Sequence, residues 1–456
     1  MTYDVAIIGA GVVGCAIFRR LCLGGARTLL LEKGGDILSG ASKGNSAMLH
    51  TGYDGMADSL ELACVRAGYA EYIEIHRHLN LPLLETGGLL VAWEEAEAAR
   101  LPALLAEAKR NGLADVHAID AAELRRREPH LGPAALAAVV IPGEHIIDPW
   151  SPSLAYVLQG IAHGGEVRRG TAVTGGDRTA AGWRLATSAG PIEAVVVINA
   201  AGNYGDLVEA IARPSPFRIK PRKGQFVVFD KPAARLLRSS ILPVPTERTK
   251  GVMLCRTAFG NVIVGPTAED QDDRADAGVD AAQLAALIEK GRRILPALAD
   301  ETVTATYAGL RPATQFKDYQ IEALPDRNWI AVGGIRSTGL TGALGIAQHV
   351  AGLYARHFAK LNDNPSPIWT PVPNLAEHLP RSYQQAGYGE VVCHCELVTR
   401  SEIEAALTDP LPAGDLGGLK RRTRCMMGRC QGFYCSARVA ELAAGRLADL
   451  PAGKAA

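Results

Sequence analysis

The run DVAIIGAGVVG, residues 4–14, leaves few choices for the chain that contains it. Val5 to Ile8 form an apolar stretch that reads as a strand, and Gly9, Gly11 and Gly14 then give G-x-G-x-x-G. The apolar spacing that follows predicts a helix to about Leu23. A second strand, RTLLLE, ends in Glu32, 18 residues after the last glycine. In such a strand–turn–helix unit Gly9 permits the tight turn and Gly11 lets the backbone approach a pyrophosphate. Gly14 lets the helix pack on the strand, and the terminal acid accepts hydrogen bonds from a ribose. The unit reads as a dinucleotide site.

The rest of the chain must decide which dinucleotide. Its 456 residues suit about three domains. The 48 basic and 48 acidic side chains balance, so no broad field favours nucleic acid or an anionic membrane, and a charged substrate must be recognised locally. The N-terminus has no basic leader, and no apolar run reaches the ~18 residues a membrane span needs. The chain reads as cytoplasmic, with peripheral attachment at the inner face of the cell membrane left open. Nine cysteines without a signal peptide argue against a disulfide framework and for metal ligands, catalytic groups or packed thiols.

Two distant segments favour FAD over NAD. EAVVVINAAGNYGDLV (193–208) is a buried-type strand ending in Ala200-Ala201-Gly202, and RNWIAVGGIRSTGLTGALGIAQHVAGLYARH (327–357) is a strand, a glycine-rich turn and a long helix. An extended FAD needs such late returns, because its flavin ring lies far from the first phosphate turn. The acidic stretch GPTAEDQDDRAD (265–276) reads as a solvated loop rather than a metal site.

With these segments in place, residues 1 to about 360 resemble FAD-dependent oxidoreductases of the D-amino-acid oxidase type, and within them glycerol-3-phosphate dehydrogenases and oxidases. The resemblance rests on DVAIIGAGVVG, GASKGNSAMLHTGYD (40–54), KPRKGQFVVFD (220–230), YAGLRPAT (307–314) and GGIRSTGLTGALGIAQ (333–348). It implies an α/β fold: a Rossmann-like FAD-binding domain (1–85, 148–215, 318–360) with an interleaved α+β substrate domain (86–147, 216–317) on a largely antiparallel sheet. It places Ser42, Asn45 and Ser46 along the FAD diphosphate and flavin, and His50 at the reactive face. Imidazole suits a base that takes a hydroxyl proton while hydride leaves carbon. Arg311 resembles the family's substrate-anchoring arginine, suited to phosphate or carboxylate. Lys250 falls where the glycerol-3-phosphate enzymes place a lysine near the pocket. Ser337, Thr338 and Gly339 are expected to bring N–H groups toward the flavin pyrimidine, with Lys33, Val173, Ala201, Gly202 and Leu340 completing the cofactor set. The implied reaction is oxidation of a small anionic alcohol, sn-glycerol 3-phosphate first. The alternatives are L-2-hydroxyglutarate, hydroxyproline-type amino acids and a non-catalytic electron-transfer subunit.

Beyond residue 360 the texture changes. LNDNPSPIWTPVPNLAEHLP holds five prolines in twenty residues and reads as an extended linker (361–384) to a small module, 385–456. EVVCHCELVTRSEIEAAL places Cys393 and Cys395 at C-x-C, which on a strand aims two thiolates one way. Thr399 and Glu402 make a capping box for a short helix. RCMMGRCQGFYC adds Cys425, Cys430 and Cys435, and both successive spacings are C-x4-C, so counting leaves the second pair open. Four thiolates suit tetrahedral zinc or a 2Fe-2S centre. The tethered flavin favours the cluster, since a two-electron donor gains from a one-electron relay. The segment resembles the bacterioferritin-associated-ferredoxin type of 2Fe-2S domain, with its GMG-x-CQG-x-x-C pattern, departing by methionine for the first glycine. That resemblance implies Cys393, Cys395, Cys430 and Cys435 as ligands and Cys425 as a spare, packed thiol. It also implies a downstream acceptor, either another dehydrogenase subunit or a quinone-linked membrane protein. The run LKRRTR (419–424), with Arg429, reads as a solvated basic face, or as charge that offsets the cluster or meets an acidic acceptor. Cys15, Cys22, Cys64 and Cys255 have no partner at ligand spacing and read as core or near-surface thiols.

Overall fold

The strand Tyr3–Ile8 lies inside a parallel array because it has apolar side chains to bury on both faces. In the computed structural model, which describes residues 2–245, 251–364, 366–408, 410–447 and 449, it pairs in parallel with Thr28–Leu31 on one side and Ile192–Asn199 on the other. Glu166–Arg168 extends the sheet past Thr28–Leu31, and Trp329–Gly333 joins Ile192–Asn199 in parallel, with Gln320–Leu324 antiparallel at the edge. Val5 and Ile7 pack with Cys15, Phe18 and Leu21 of the helix Val12–Leu23, while Ala6 and Ile8 pack with Trp183, Leu185 and Trp329. Each large aliphatic side chain so buried contributes about 1.5–3 kcal/mol. These two layers fix the carboxyl ends of the strands, where ligands of open α/β sheets bind.

A second sheet has nine strands. Arg222–Phe229 pairs with Val303–Arg311, Val262–Gly265 and Glu269–Asp270. The sheet continues through Met253–Arg256, Ser240–Pro243, Gly88–Ala92, Ala137–Ile141 and His117–Asp120. Its pairs are antiparallel except Ser240–Pro243 with Gly88–Ala92. Period-two alternation explains its position. Leu89, Val91, Val227, Phe229 and Val264 face Leu287 and Ile294 of the helix Ala281–Ile294, whereas Leu90, Ala92, Phe226 and Ile263 face Met48, Tyr53 and Ile146. A small sheet of Met48–Leu49, His145–Ile147 and Leu83–Leu84 lies between the two.

After the helix Gly339–His357 the proline-rich segment runs along the surface, stapled by Asn362 N to Gly24 O, Val372 N to Leu79 O and a Trp369–His78 stack. The C-terminal module then closes on its own core of Val392, Val398, Ile403, Leu419 and Val439. Its helix Arg400–Ala406 starts in the reciprocal cap read from the sequence, with Thr399 N donating to Glu402 and Glu402 N to Thr399. Cys15, Cys22, Cys64 and Cys255 are buried. Among the described residues no helix is long and apolar enough to cross a membrane.

Candidate active site and cysteine cluster

The first turn is built for close approach. Gly9 has φ +107°, and a Cβ there would lie 2.6 Å from Ala200 O; a Cβ on Gly14 would run into Gly9 O. Gly14 thus closes helix on strand without reaching the ligand space. The other predicted cofactor residues, together with His50 and Arg311, line one cavity of about 990 Å³, while Lys250 lies outside the described residues. Glu32 is buried and lines the cavity, and its carboxylate accepts from Ala10 N at 2.9 Å and Gly34 N at 2.8 Å, so it holds the glycine-rich turn. Ser42 Oγ accepts from Val12 N at 3.0 Å, tying the 40–46 loop to the first helix. Asn45 bridges that loop through Ser42 O and Ala47 N, and Tyr307 holds its carbonyl. Lys33 Nζ lies 3.3 Å from the centre of the Tyr204 ring. Thr338, at the N-terminus of Gly339–His357, is fixed by Glu61 and Tyr319. A positive-φ turn, a buried acid at the end of the second strand and late loops lining one cavity fit FAD.

His50 and Glu144 are brought together by strand register. Leu49 pairs with His145 in the antiparallel ladder, so the next residues outward, His50 and Glu144, meet. His50 Nδ1 lies 2.9 Å from Glu144 Oε2. Glu144 is fully buried, and its Oε1 accepts from Thr51 N at 2.6 Å and Thr51 Oγ1 at 2.7 Å. The His50 amide donates to Thr341 Oγ1 at 3.0 Å. Sequence reasoning missed Glu144, which carries no local signal.

Arg311 ends the strand Val303–Arg311 opposite Arg222. Its Nη2 donates to Thr267 O at 2.6 Å, and the absence of a side chain at Gly224 makes room for the guanidinium. Burial, aided by repulsion from Arg222, pulls Arg311 down to about 10, which leaves it cationic at neutral pH. Arg222 is neutralised by Asp270 at 2.6 Å. The 265–276 loop is therefore not merely solvated: Thr267 orients Arg311, and Arg274 pairs with Asp206 at 2.5 Å because the loop folds back over the cavity.

The C-terminal thiols meet two by two: Cys395 with Cys430, and Cys393 with Cys435. Two neighbouring cysteine pairs suit the four thiolates of a 2Fe-2S centre. N–H groups of Tyr434, Gly432 and Phe433 draw the Cys430 thiol down, which suits a thiolate ligand. Cys425 bonds to Thr423 and lies beside Cys393; burial pushes it up to about 11, as it pushes Cys435 up to about 12. Cys393 and Cys395 do not point one way as strand alternation predicts: Val391–Cys393 ends at the first of them, and beyond it each thiol meets a different partner.

The basic run also proves not to be a solvated face. Arg422 makes a two-pronged pair with Asp36, one arm at 2.8 Å, and Arg421 donates to Ile37 O at 2.9 Å. Arg424, in the left-handed region at φ +66°, bonds Glu396 at 2.8 Å and lies 3.9 Å from the Phe259 ring centre. Phe259 stacks on Trp150, whose indole donates to Lys43 O in the 40–46 loop. The helix Leu416–Thr423 presents its arginines to buried carboxylate and carbonyl groups, which outcompete water for them.

Residues 4–353 match the family "FAD dependent oxidoreductase", and residues 391–444 match "BFD-like [2Fe-2S] binding domain". The chain is 30% identical over 453 residues to a glycerol 3-phosphate dehydrogenase of Caloramator mitchellensis, covering 98% of this chain and 94% of that one. It is 26% identical over 486 residues to one subunit of the anaerobic glycerol-3-phosphate dehydrogenase of Escherichia coli K12, covering 96% and 87%. The structure of dithionite-reduced L-alpha-glycerophosphate oxidase from Mycoplasma pneumoniae with FAD bound superposes with a TM-score of 0.75 at 27% identity, covering 80% of this chain and 97% of that one.

Proposed function

From the premise that this chain belongs to the FAD dependent oxidoreductases, and carries a BFD-like 2Fe-2S domain behind them, we propose that it oxidises sn-glycerol 3-phosphate to dihydroxyacetone phosphate. The observation that carries this reading is that His50 and Arg311 share the cavity that fits the cofactor. Bound FAD would supply the hydride acceptor, and the 2Fe-2S cluster on Cys393, Cys395, Cys430 and Cys435 a one-electron carrier. Arg311 anchors the phosphate and, with Thr267 holding one arm, presents the remaining donors to it. His50 takes the hydroxyl proton at Nε2, its Nδ1 being engaged by Glu144. The carbon thus loses a hydride and the oxygen a proton, which accounts for both electrons of the alcohol oxidation.

The substrate would enter between two folding units, divided as 1–85, 148–215 and 318–360 against 86–147 and 216–317. The strap 361–384 leads to the cluster module at 385–456, and Lys250 would add a second cation near the phosphate. Electrons would leave through the cluster to another dehydrogenase subunit or a quinone-linked acceptor, a reading supported by the likeness to one component of a multi-subunit anaerobic dehydrogenase. A cytoplasmic protein, peripheral at the inner membrane face, fits that role. The test is anaerobic addition of glycerol 3-phosphate, L-2-hydroxyglutarate, lactate and proline derivatives to the FAD-loaded protein. Bleaching of the flavin band by glycerol 3-phosphate well ahead of the others is expected. Selective bleaching by a carboxylate substrate would move the assignment to that acid, and none at all would leave an electron-transfer role.

A further inference from the structure

Resting on the reading of His50 as the base, we infer that Glu144 is its positioning residue and sets which imidazole nitrogen is free to take the substrate's proton. Glu144 is fully buried and has both oxygens committed. Oε1 accepts from Thr51 N (2.6 Å) and Thr51 Oγ1 (2.7 Å), and Oε2 faces His50 Nδ1 at 2.9 Å. A carboxylate only accepts, so Nδ1 carries the proton and donates it to Oε2. That leaves Nε2 unprotonated, on a ring that lines the cavity. Thr51 is what makes the carboxylate directional: two donors converge on Oε1, and the other oxygen is turned to the histidine. Tyr53, Tyr69 and His145 also feel the charge of Glu144, but Tyr53 and Tyr69 have it only as a neighbour and His145 bonds the Glu144 backbone, not its carboxylate.

This geometry makes Glu144→Gln an unusually sharp test, because the change keeps shape and reverses one polarity. The two Thr51 donors hold the amide oxygen where Oε1 was, so the amide NH₂ faces His50 Nδ1. Nδ1 must then accept, the ring proton moves to Nε2, and the base is blocked by its own proton. The same logic underlies loss of activity when an orienting carboxylate becomes an amide in hydrolase triads.

The measurement is the ¹⁵N spectrum of the FAD-loaded protein labelled at histidine, recorded above neutral pH, with the His50 signal identified by its loss in His50→Asn. Stopped-flow flavin reduction by glycerol 3-phosphate is measured alongside. We expect a protonated Nδ1 in the wild type, a protonated Nε2 in Glu144→Gln, and flavin reduction slowed about 10²-fold in that variant. Glu144→Asp should restore the wild-type tautomer and part of the rate. An Nε2-protonated ring in the wild type overturns the inference and needs no variant to fold. So does a Glu144→Gln protein with the wild-type tautomer and rate. If glycerol 3-phosphate fails to reduce the wild-type flavin, the proposed substrate falls, while the tautomers still decide the role of Glu144.

Discussion

Replacing Arg422 by methionine removes one half of a buried ion pair that joins the C-terminal module to the loop behind Glu32. Asp36 is fully buried and the Arg422 side chain is 7% exposed, so the carboxylate would be left inside without its main counter-charge. Breaking such a pair from one side costs about 3–5 kcal/mol. Asp36 keeps Arg169 at 3.3 Å, Gly414 N at 3.2 Å and Ile37 N at 2.7 Å, which places the loss near the lower end, about 3 kcal/mol. At about 1.4 kcal/mol per decade, the opening equilibrium of this contact rises about 10²-fold. Hydrogen exchange followed by mass spectrometry reads it directly, through faster exchange in residues 36–39 and 416–423 with little change in the nine-stranded sheet. Because Gly34, Ser39 and Gly40 line the cofactor cavity, the variant should also lose FAD more readily on desalting. Adding Asp36→Asn should recover part of the loss, since the stranded charge is gone. Unchanged exchange in both segments, with FAD fully retained, would refute the idea that this pair locks the module in place.

The pH dependence of the same contact has a defined sign. Burial alone would raise Asp36, but the Arg422 hydrogen bond and charge, the Gly414 N–H and Arg169 outweigh it and hold the carboxyl below its ordinary value. A depressed acid contributes stability above its unfolded pKa of about 3.9 and loses it as pH falls through the folded value. Opening of residues 416–423 should therefore be flat from pH 5 to 8 on this account and rise only below about pH 4.

Other changes separate the roles of individual residues. His50→Ala should slow flavin reduction by ~10²-fold or more while FAD stays bound, measured by stopped-flow absorbance; an unchanged rate returns His50 to packing. Cys430→Ser and Cys435→Ser should lose iron, whereas Cys425→Ser should retain it with its reduced electron paramagnetic resonance signal. Iron lost in Cys425→Ser but kept in Cys435→Ser would move the second ligand pair to Cys425 and Cys430. Gly14→Ala should yield protein with little FAD, because the added Cβ meets Gly9 O and must push the first helix off its strand.

What could be read from the sequence was local in every case. The turn at Gly9, the helix to Leu23, the acid at Glu32 and the late strand–turn–helix at Trp329–His357 are each written within some thirty residues, where periodicity and glycine spacing act. Glu144 was illegible because it lies 94 positions from His50 and meets it only through the register that sets Leu49 against His145. The arginines at 421–424 looked like a solvated face because a helix of eight residues shows its charges but not its neighbour; Asp36, which takes Arg422, is 386 positions away. In the 265–276 loop the exposed acids could be read from the sequence, but the Thr267 carbonyl that holds Arg311 has no sequence signature. At Cys393 and Cys395 the spacing was sound but the strand stopped one residue too early for the alternation argument, and pairing across the module replaced it. Cofactor-binding turns can thus be read from the chain because backbone geometry recurs with short spacings. The partners that tune His50, aim Arg311 and lock the module are supplied by tertiary contacts, where a carboxylate or a carbonyl gains its role only from what the fold sets against it.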